Sequence, residues 1–452
     1  MTVRAVSPAL AIAVLVGTTI TASAQPLSRA EAVAQAITAH PQVKLALEQV
    51  AVLEGRITEA RADALPDLSW SMRALRSRDP GLLNTPNFDS FPAEFRAALR
   101  PIPGNMFDAY AAVQQTLFSF KLGHAVGAAK LAREAGDEQV RFARQTIALQ
   151  AIHGYNDLLF ALEQLRVARS AIEQKEAHVN VARSRRSAGV ATELDVLRVE
   201  VDLENERAAL FRAETQVAAA RARLNTIMLR PIDSAVEPTD SFSVEPVAST
   251  FEAAVEEALA SRPELQSLRL ELQVRDRLID VSRAEMKPRV DLTAGYGFSA
   301  RNPRDLADLD FARWSAAVTA TIPVFDGHRT AGRIAQGLAE RNVVAQRIAA
   351  LENQVRLDVQ ALWDSLLLAE RTLAAADLNV AQARRAVDMT EANYRLGTAT
   401  PLDVLDAQQA LVLAEDIRNQ ALLTRANSRA SLSFVMGRDP LTDGRPAAPA
   451  KR

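Results

Sequence analysis

The stretch YRLGTATPLDVLDAQ, from Tyr394 to Gln408, has a degenerate copy, RRSAGVATELDVLRVE, at residues 185–200, displaced by 208 positions. From the glycine to the second leucine, seven of nine positions are identical. Gly397 suits the left-handed residue that ends a helix, Thr400 an N-cap, Pro401 the first helical position and Asp403 the acidic third position. Gly189, Thr192 and Asp195 repeat that punctuation. The stretch therefore reads as a tight turn between two helices, written twice.

Working outward, the flanks of both turns are helical. No proline lies between Pro103 and Pro231 or between Pro323 and Pro401, so no proline breaks the helices on either side of the turns. A seven-residue series, Val359, Leu366, Leu373, Val380, Val387 and Tyr394, runs up to the second turn. Ala151, Leu158, Leu165, Ile172 and Val179 precede the first turn, and Val196, Leu203, Leu210, Val217 and Leu224 follow it. Sustained spacing of seven means helices that wrap left-handed around partners. The helix before the first turn would span on the order of 100 Å at about 1.5 Å per residue, more than a compact domain needs.

The repeat extends beyond the turns. Pro41 pairs with Pro263 and Pro66 with Pro288 at offset 222, Phe120 with Phe325 at 205, so copy one carries a longer insertion between Pro66 and Phe120. The expected organisation is a first repeat over 25–230, with a strand hairpin at about 67–118 and a tip turn at about 187–192. A Pro/Ser/Asp-rich connector (231–250) leads to a second repeat over 251–438, with a strand hairpin at about 289–323 and a tip turn at about 396–401; residues 439–452 read as a disordered tail.

Within each repeat the period switches to two. Leu68, Trp70, Met72 and Ala74 alternate with Ser69, Ser71 and Arg73; Leu292, Ala294, Tyr296 and Phe298 alternate with Asp291, Thr293, Gly295 and Gly297. Trp314, Ala316, Val318, Ala320 and Ile322 do the same, and residues 108–118 less cleanly. Such strands of about ten residues have the length of transmembrane barrel strands. Four of them cannot close a barrel with room inside, and lipid does not tolerate an open edge. The barrel must then be shared between subunits, and Trp70, Tyr110 and Trp314 near strand ends read as interfacial aromatics. The fold class is mainly α with a small β part.

Residues 1–24 carry Arg4, an apolar run and Ala22-Ser23-Ala24, the pattern of a cleaved signal peptide, so a mature start near Gln25 is expected. A net charge of −2 gives no reason to expect a nucleic-acid footprint or a polybasic membrane patch. The absence of cysteine excludes disulfides, Cys-ligated metals and an acylated N-terminal Cys. His40, His124, His153, His178 and His328 show no ligand spacing, and Gly295-Tyr296-Gly297 is a strand glycine pair rather than a nucleotide loop. No nucleophile–base constellation occurs, so no enzyme, cofactor or metal site is expected.

Helix, strand pair, long helix, tight turn and helix, written twice behind a signal peptide, resembles the TolC outer-membrane efflux protein family across the mature chain, and YRLGTATPLDVLDAQ resembles that family's second helix-tip motif. The resemblance implies a homotrimer whose strands form a twelve-stranded barrel in the outer membrane of a Gram-negative bacterium. Its helices would continue as long coiled-coil-like hairpins forming a periplasmic tunnel. It implies an exit duct for a tripartite pump, passing drugs or metal ions from an inner-membrane transporter through a periplasmic adaptor. Type I protein secretion is the alternative within that class, and an exported helical scaffold is the alternative outside it.

The resemblance also assigns residues. Asp403 and Asp406 match the carboxylates of the periplasmic constriction, and Tyr394 matches a tyrosine that holds the entrance shut. Spacing alone makes Asp403 and Asp195 capping residues and Tyr394 the last heptad member. Asp406 has no capping role, and copy one has Arg198 in its place. Where the family has an Arg after the tip glycine this chain has Ala399, which leaves Arg395, with Asp195, as candidate gate support. Gly189, Val190 and Ala191, with Gly397, Thr398 and Ala399, are the tips where an adaptor would dock.

Overall fold

The structure, a computed structural model, describes residues 25–80, 90–98, 103–242 and 250–438. The expected signal peptide and the expected tail from 439 lie outside the described residues. The chain runs β1 (Gln25–Leu27), α1 (Arg29–Ala39), α2 (Pro41–Ala62), β2 (Asp67–Ser77), α3 (Ala93–Ala98), β3 (Gly104–Ser119), α4 (Phe120–Ser187) and α5 (Glu193–Ile227). It continues with β4 (Val236–Pro238), α6 (Phe251–Ser261), α7 (Pro263–Ala284), β5 (Arg289–Ala300), β6 (Ala312–Thr321), α8 (Arg329–Arg395) and α9 (Pro401–Val435).

α4 and α8, with 68 and 67 residues, are each about 100 Å long. Near the sheet α4 packs on α2 and α7, and α7 packs on α8. Towards the turns α4 packs on α5 and α9, and α9 on α8. The chain is thus a ribbon four helices wide along most of its length, continued by a ribbon of four strands. The heptad residues form the seams: Ala151, Leu158, Val179, Val196, Leu203, Val217, Leu224, Val359, Leu366 and Val387 are buried. A second series lies beside them in α4, Ala161, Ala168, Lys175 and Ala182, all buried. Small residues there let the helices approach closely. Lys175 takes an alanine's place and pairs with Asp202 of α5.

Midway along the rod the chain thickens. Val33, Ile147, Tyr155, Leu158, Leu224, Met228 and Val236 share one core; Val355, Val359, Leu432, Val435 and Met436 share its counterpart. The connector contributes more order here than its composition suggests. Val236 is buried, and β4 pairs in parallel with β1. The Tyr155 hydroxyl donates to the Leu27 carbonyl at 2.9 Å and accepts the Asp240 N–H at 3.2 Å. Burial of Val236 and these bonds stabilise a strand that periodicity cannot reveal in three residues.

The sheet has the order β2-β3-β5-β6, antiparallel throughout, so β2 and β6 each have one free edge. Its register places Trp70, Ala111, Tyr296 and Trp314 in one row on the apolar face, and Ser71, Tyr110, Gly297 and Arg313 in the neighbouring row on the polar face. Leu68, Trp70, Met72, Trp314 and Val318 are exposed. Tyr110, expected beside Trp70 and Trp314, lies on the opposite face, and Tyr296 shares their row instead. Tyr110 lies on the polar face with its hydroxyl 2.8 Å from the Ser315 hydroxyl and its ring 4.9 Å from the Arg313 guanidinium carbon. The strand alternates poorly by sequence, and only register decides its faces. Gly295 and Gly297 make room: a Cβ at Gly295 would overlap the Tyr110 ring, and one at Gly297 the backbone of Ala109 and Tyr110.

Candidate functional site: the two helix tips

Each tip is built by backbone geometry first. Gly189 and Gly397 have φ of 76° and 79°, left-handed values that a side chain resists. They reverse the chain so that Val190 N–H reaches the Arg185 carbonyl at 3.0 Å and Thr398 N–H the Asn393 carbonyl at 3.0 Å, the pattern of a Schellman helix end. The next helices start on Thr192 and Thr400. Thr192 N–H donates to Asp195 Oδ2 at 2.9 Å, and Thr400 N–H to Asp403 Oδ2 at 2.7 Å. The threonine hydroxyls accept the Asp195 and Asp403 N–H groups in return, and Pro401 occupies the first helical turn. These bonds hold both carboxyls below the usual carboxylate range.

Asp403 is therefore bound to the start of its own helix, whereas Asp406 is exposed and, among the described residues, has no ion pair. Three residues apart on α9, the two carboxylates share a face turned away from buried Val404 and Gln408. Gly189, Val190, Gly397 and Thr398 are exposed at the very end of the rod, with Ala191 and Ala399 partly covered.

Behind the tips the two helical hairpins meet. A crevice is lined by His178 and Ala182 of α4, Ala191, Asp195 and Val199 of the first tip and α5, Tyr394 of α8, and Pro401, Val404 and Leu405 of α9. Tyr394 is packed there, its ring 4.4 Å from the guanidinium carbon of Arg185. Arg395 is exposed and directs Nε at the Glu391 carbonyl of its own helix, 3.4 Å away. The structure thus brings Tyr394, Asp195, Ala191 and Pro401 together and leaves Asp403, Asp406 and Arg395 outside the crevice.

One turn deeper lies a polar contact that sequence reading missed. Gln408, 2% exposed, sets its amide nitrogen 2.5 Å from His178 Nε2 and 3.2 Å from Glu391 Oε1. Burial lowers the affinity of His178 for a proton, against the pull of Glu391. The available signal was Gln408 itself, a polar residue one turn after buried Val404 on the seam side of α9. Along the rest of the α4–α9 seam Gln164 meets Asp416, Asn156 meets Asn427, His153 meets Ser431, and Gln145 donates to the Gly437 carbonyl. Polar side chains thus recur along the whole joint between the hairpins.

Among the described residues no helix is long and apolar enough to cross a membrane, and no three metal-ligating side chains converge. An apolar-faced strand ribbon with two free edges, continued by a helical ribbon about 100 Å long that ends in paired turns, defines a subunit of a barrel-capped helical duct. The family model described as outer membrane efflux protein matches residues 32–228 and 254–438, and the chain belongs to that family. The outer membrane protein OprJ of Pseudomonas aeruginosa is 26% identical over 363 residues, 78% of this chain and 72% of that protein. The alkaline protease secretion protein AprF of the same organism is 24% identical over 341 residues, 73% of this chain and 70% of its own length. A solved membrane protein from Pseudomonas aeruginosa shares the fold, with a TM-score of 0.77 over 90% of both chains at 21% identity. The chain is an outer-membrane exit duct for efflux or secretion, a passive channel rather than an enzyme, with a periplasmic tunnel.

Proposed function

We propose that three copies join their free β2 and β6 edges into a twelve-stranded barrel, with the row of Trp70, Tyr296 and Trp314 facing lipid and Tyr110 and Arg313 facing the lumen. The free edges carry this reading, since unpaired strand backbone in a membrane is untenable. Twelve helices about 9 Å apart put their axes on a circle about 35 Å across, which leaves a bore of about 25 Å after a helix diameter is subtracted. The tips narrow this bore in the closed state, with six carboxylates from Asp403 and Asp406 favouring cations at the entrance.

The exposed turns at Gly189–Ala191 and Gly397–Ala399 are where a periplasmic adaptor docks, so that an inner-membrane transporter delivers small molecules, drugs or metal ions, into the duct. The description of the matching family, outer membrane efflux protein, supports efflux; protein secretion, the role in the name of AprF, is the second reading. The test is to delete the gene and measure accumulation of efflux substrates beside the secreted proteome. Raised accumulation with unchanged secretion supports efflux, and the reverse supports secretion. Recovery of the protein as a soluble periplasmic monomer refutes the duct.

A further inference from the structure

The bond between His178, Gln408 and Glu391 spans three helices, α4, α9 and α8, and joins the two hairpins just behind the entrance. Its hydrogen-bonding pattern fixes protonation. The Gln408 amide must turn its nitrogen towards Glu391, because an amide oxygen at 3.2 Å from a carboxylate oxygen would be repelled. The same nitrogen then faces His178 Nε2 at 2.5 Å and can only donate. His178 Nε2 is therefore an acceptor, and the ring is neutral with its proton on Nδ1.

Protonating Nε2 would set two donors against each other. Turning the amide over would not help, since it would put the oxygen against Glu391. Gln408 Oε1 is already buried without a partner, so the amide has no stronger alternative bond holding it. A proton on His178 is accommodated by moving α4 away from α9, which lets water reach the ring; Glu391, 3.9 Å from Nε2, attracts the charge but is already engaged by the Gln408 amide.

We infer that His178, Gln408 and Glu391 form a proton-sensitive latch between the hairpins, closed while His178 is neutral and released when it is protonated. This inference rests on the duct reading and names a control of its entrance. The surroundings set the direction. Lys175, on the same helix, opposes a positive His178, but its ammonium is paired with Asp202 of α5. Asp195 of α5 and Tyr394 of α8 line the crevice beside His178, with Asp195 committed to Thr192 and Tyr394 covered by Arg185. Glu391 and Asp202 favour the proton, yet burial outweighs them and the affinity falls.

The sign follows from linkage. A closed-state imidazole that holds its proton less tightly than a solvated one stabilises the closed state fully above the solvated value of about 6.5, and that stabilisation is lost as the pH falls below it. The latch therefore opens in acid. Copy two has Ala386 at the place of His178, and copy one has Glu200 at the place of Gln408, so the device occurs once per chain.

The test is single-channel conductance of the purified full-length protein in planar bilayers at about pH 7.5 and about pH 5.5, with His178→Gln beside the native chain. The expected result is a severalfold rise of native conductance in acid that His178→Gln abolishes. Asp403→Asn with Asp406→Asn serves as control and should keep the rise, which separates the latch from titration of the entrance carboxylates. Independently, the chain has no cysteine, so Ala182→Cys with Leu405→Cys, two residues of one crevice, joins the hairpins without background. The joined protein should lose the acid response and regain it with dithiothreitol. A channel that conducts without an acid response, an unaltered response in His178→Gln, or a response that survives the crosslink would overturn the latch and leave the duct intact. Failure to conduct at either pH would reject the duct and the latch together.

Discussion

Replacing Gly295 by alanine tests how Tyr110 packs across the polar face of the sheet, and the structure sets the size of the effect. The new Cβ would overlap the Tyr110 hydroxyl and the ring carbons beside it. These atoms belong to a side chain, so the strand can stay in place if Tyr110 swings out. That movement gives up the hydrogen bond to Ser315, about 0.5–1.5 kcal/mol. It also gives up the Arg313 contact on a partly solvated surface, about 0.5–1 kcal/mol. Gly295→Ala should therefore destabilise the protein by about 1–2.5 kcal/mol per subunit. Tyr110→Ala should cost a similar amount, and the double variant no more than Tyr110→Ala alone, because the alanine methyl then has nothing to strike. Gly297→Ala is the contrast: its Cβ meets the Ala109 carbonyl and the Tyr110 Cα, which are backbone, so removing the Tyr110 ring brings no rescue. The assay is the denaturant midpoint of the purified protein in detergent, followed by heat-modifiable mobility on a gel. Additive costs for Gly295→Ala and Tyr110→Ala would refute the packing of Tyr110 over Gly295.

Two other outcomes follow from the helices. Asp406→Asn should remove more cation preference in single-channel recordings than Asp403→Asn, since Asp403 is bound to Thr400 while Asp406 is not; equal cation permeability in the native protein and the double variant would reject the acidic ring. Asp202→Ala should destabilise the α4–α5 hairpin by about 2–3 kcal/mol by leaving the buried Lys175 ammonium unpaired. Lys175→Ala with Asp202→Ala should restore the unfolding midpoint, because alanine completes the series Ala161, Ala168 and Ala182.

The features readable in the sequence are those written in short-range order. A spacing of seven residues places Leu158, Val179, Val359 and Val387 on one side of a helix whatever the helix meets, and a spacing of two places Trp70 and Trp314 on one side of a strand. Gly397, Thr400, Pro401 and Asp403 end one helix and begin the next through bonds that reach no further than five residues. Helices, strands, turns, the need for partner subunits and the family were therefore legible. Tyr110 was not, because its strand carries polar and apolar residues on both faces and only pairing with β2 and β5 chooses between them. The contact of Tyr394 with Arg185 and the bond of Gln408 to His178 were not either, because they join residues more than 200 positions apart on helices whose relative height is set by packing along the whole of α4, α8 and α9. Local periodicity determines what each element is and which side it buries. The axial offset between elements, which packing alone decides, determines which polar side chains meet.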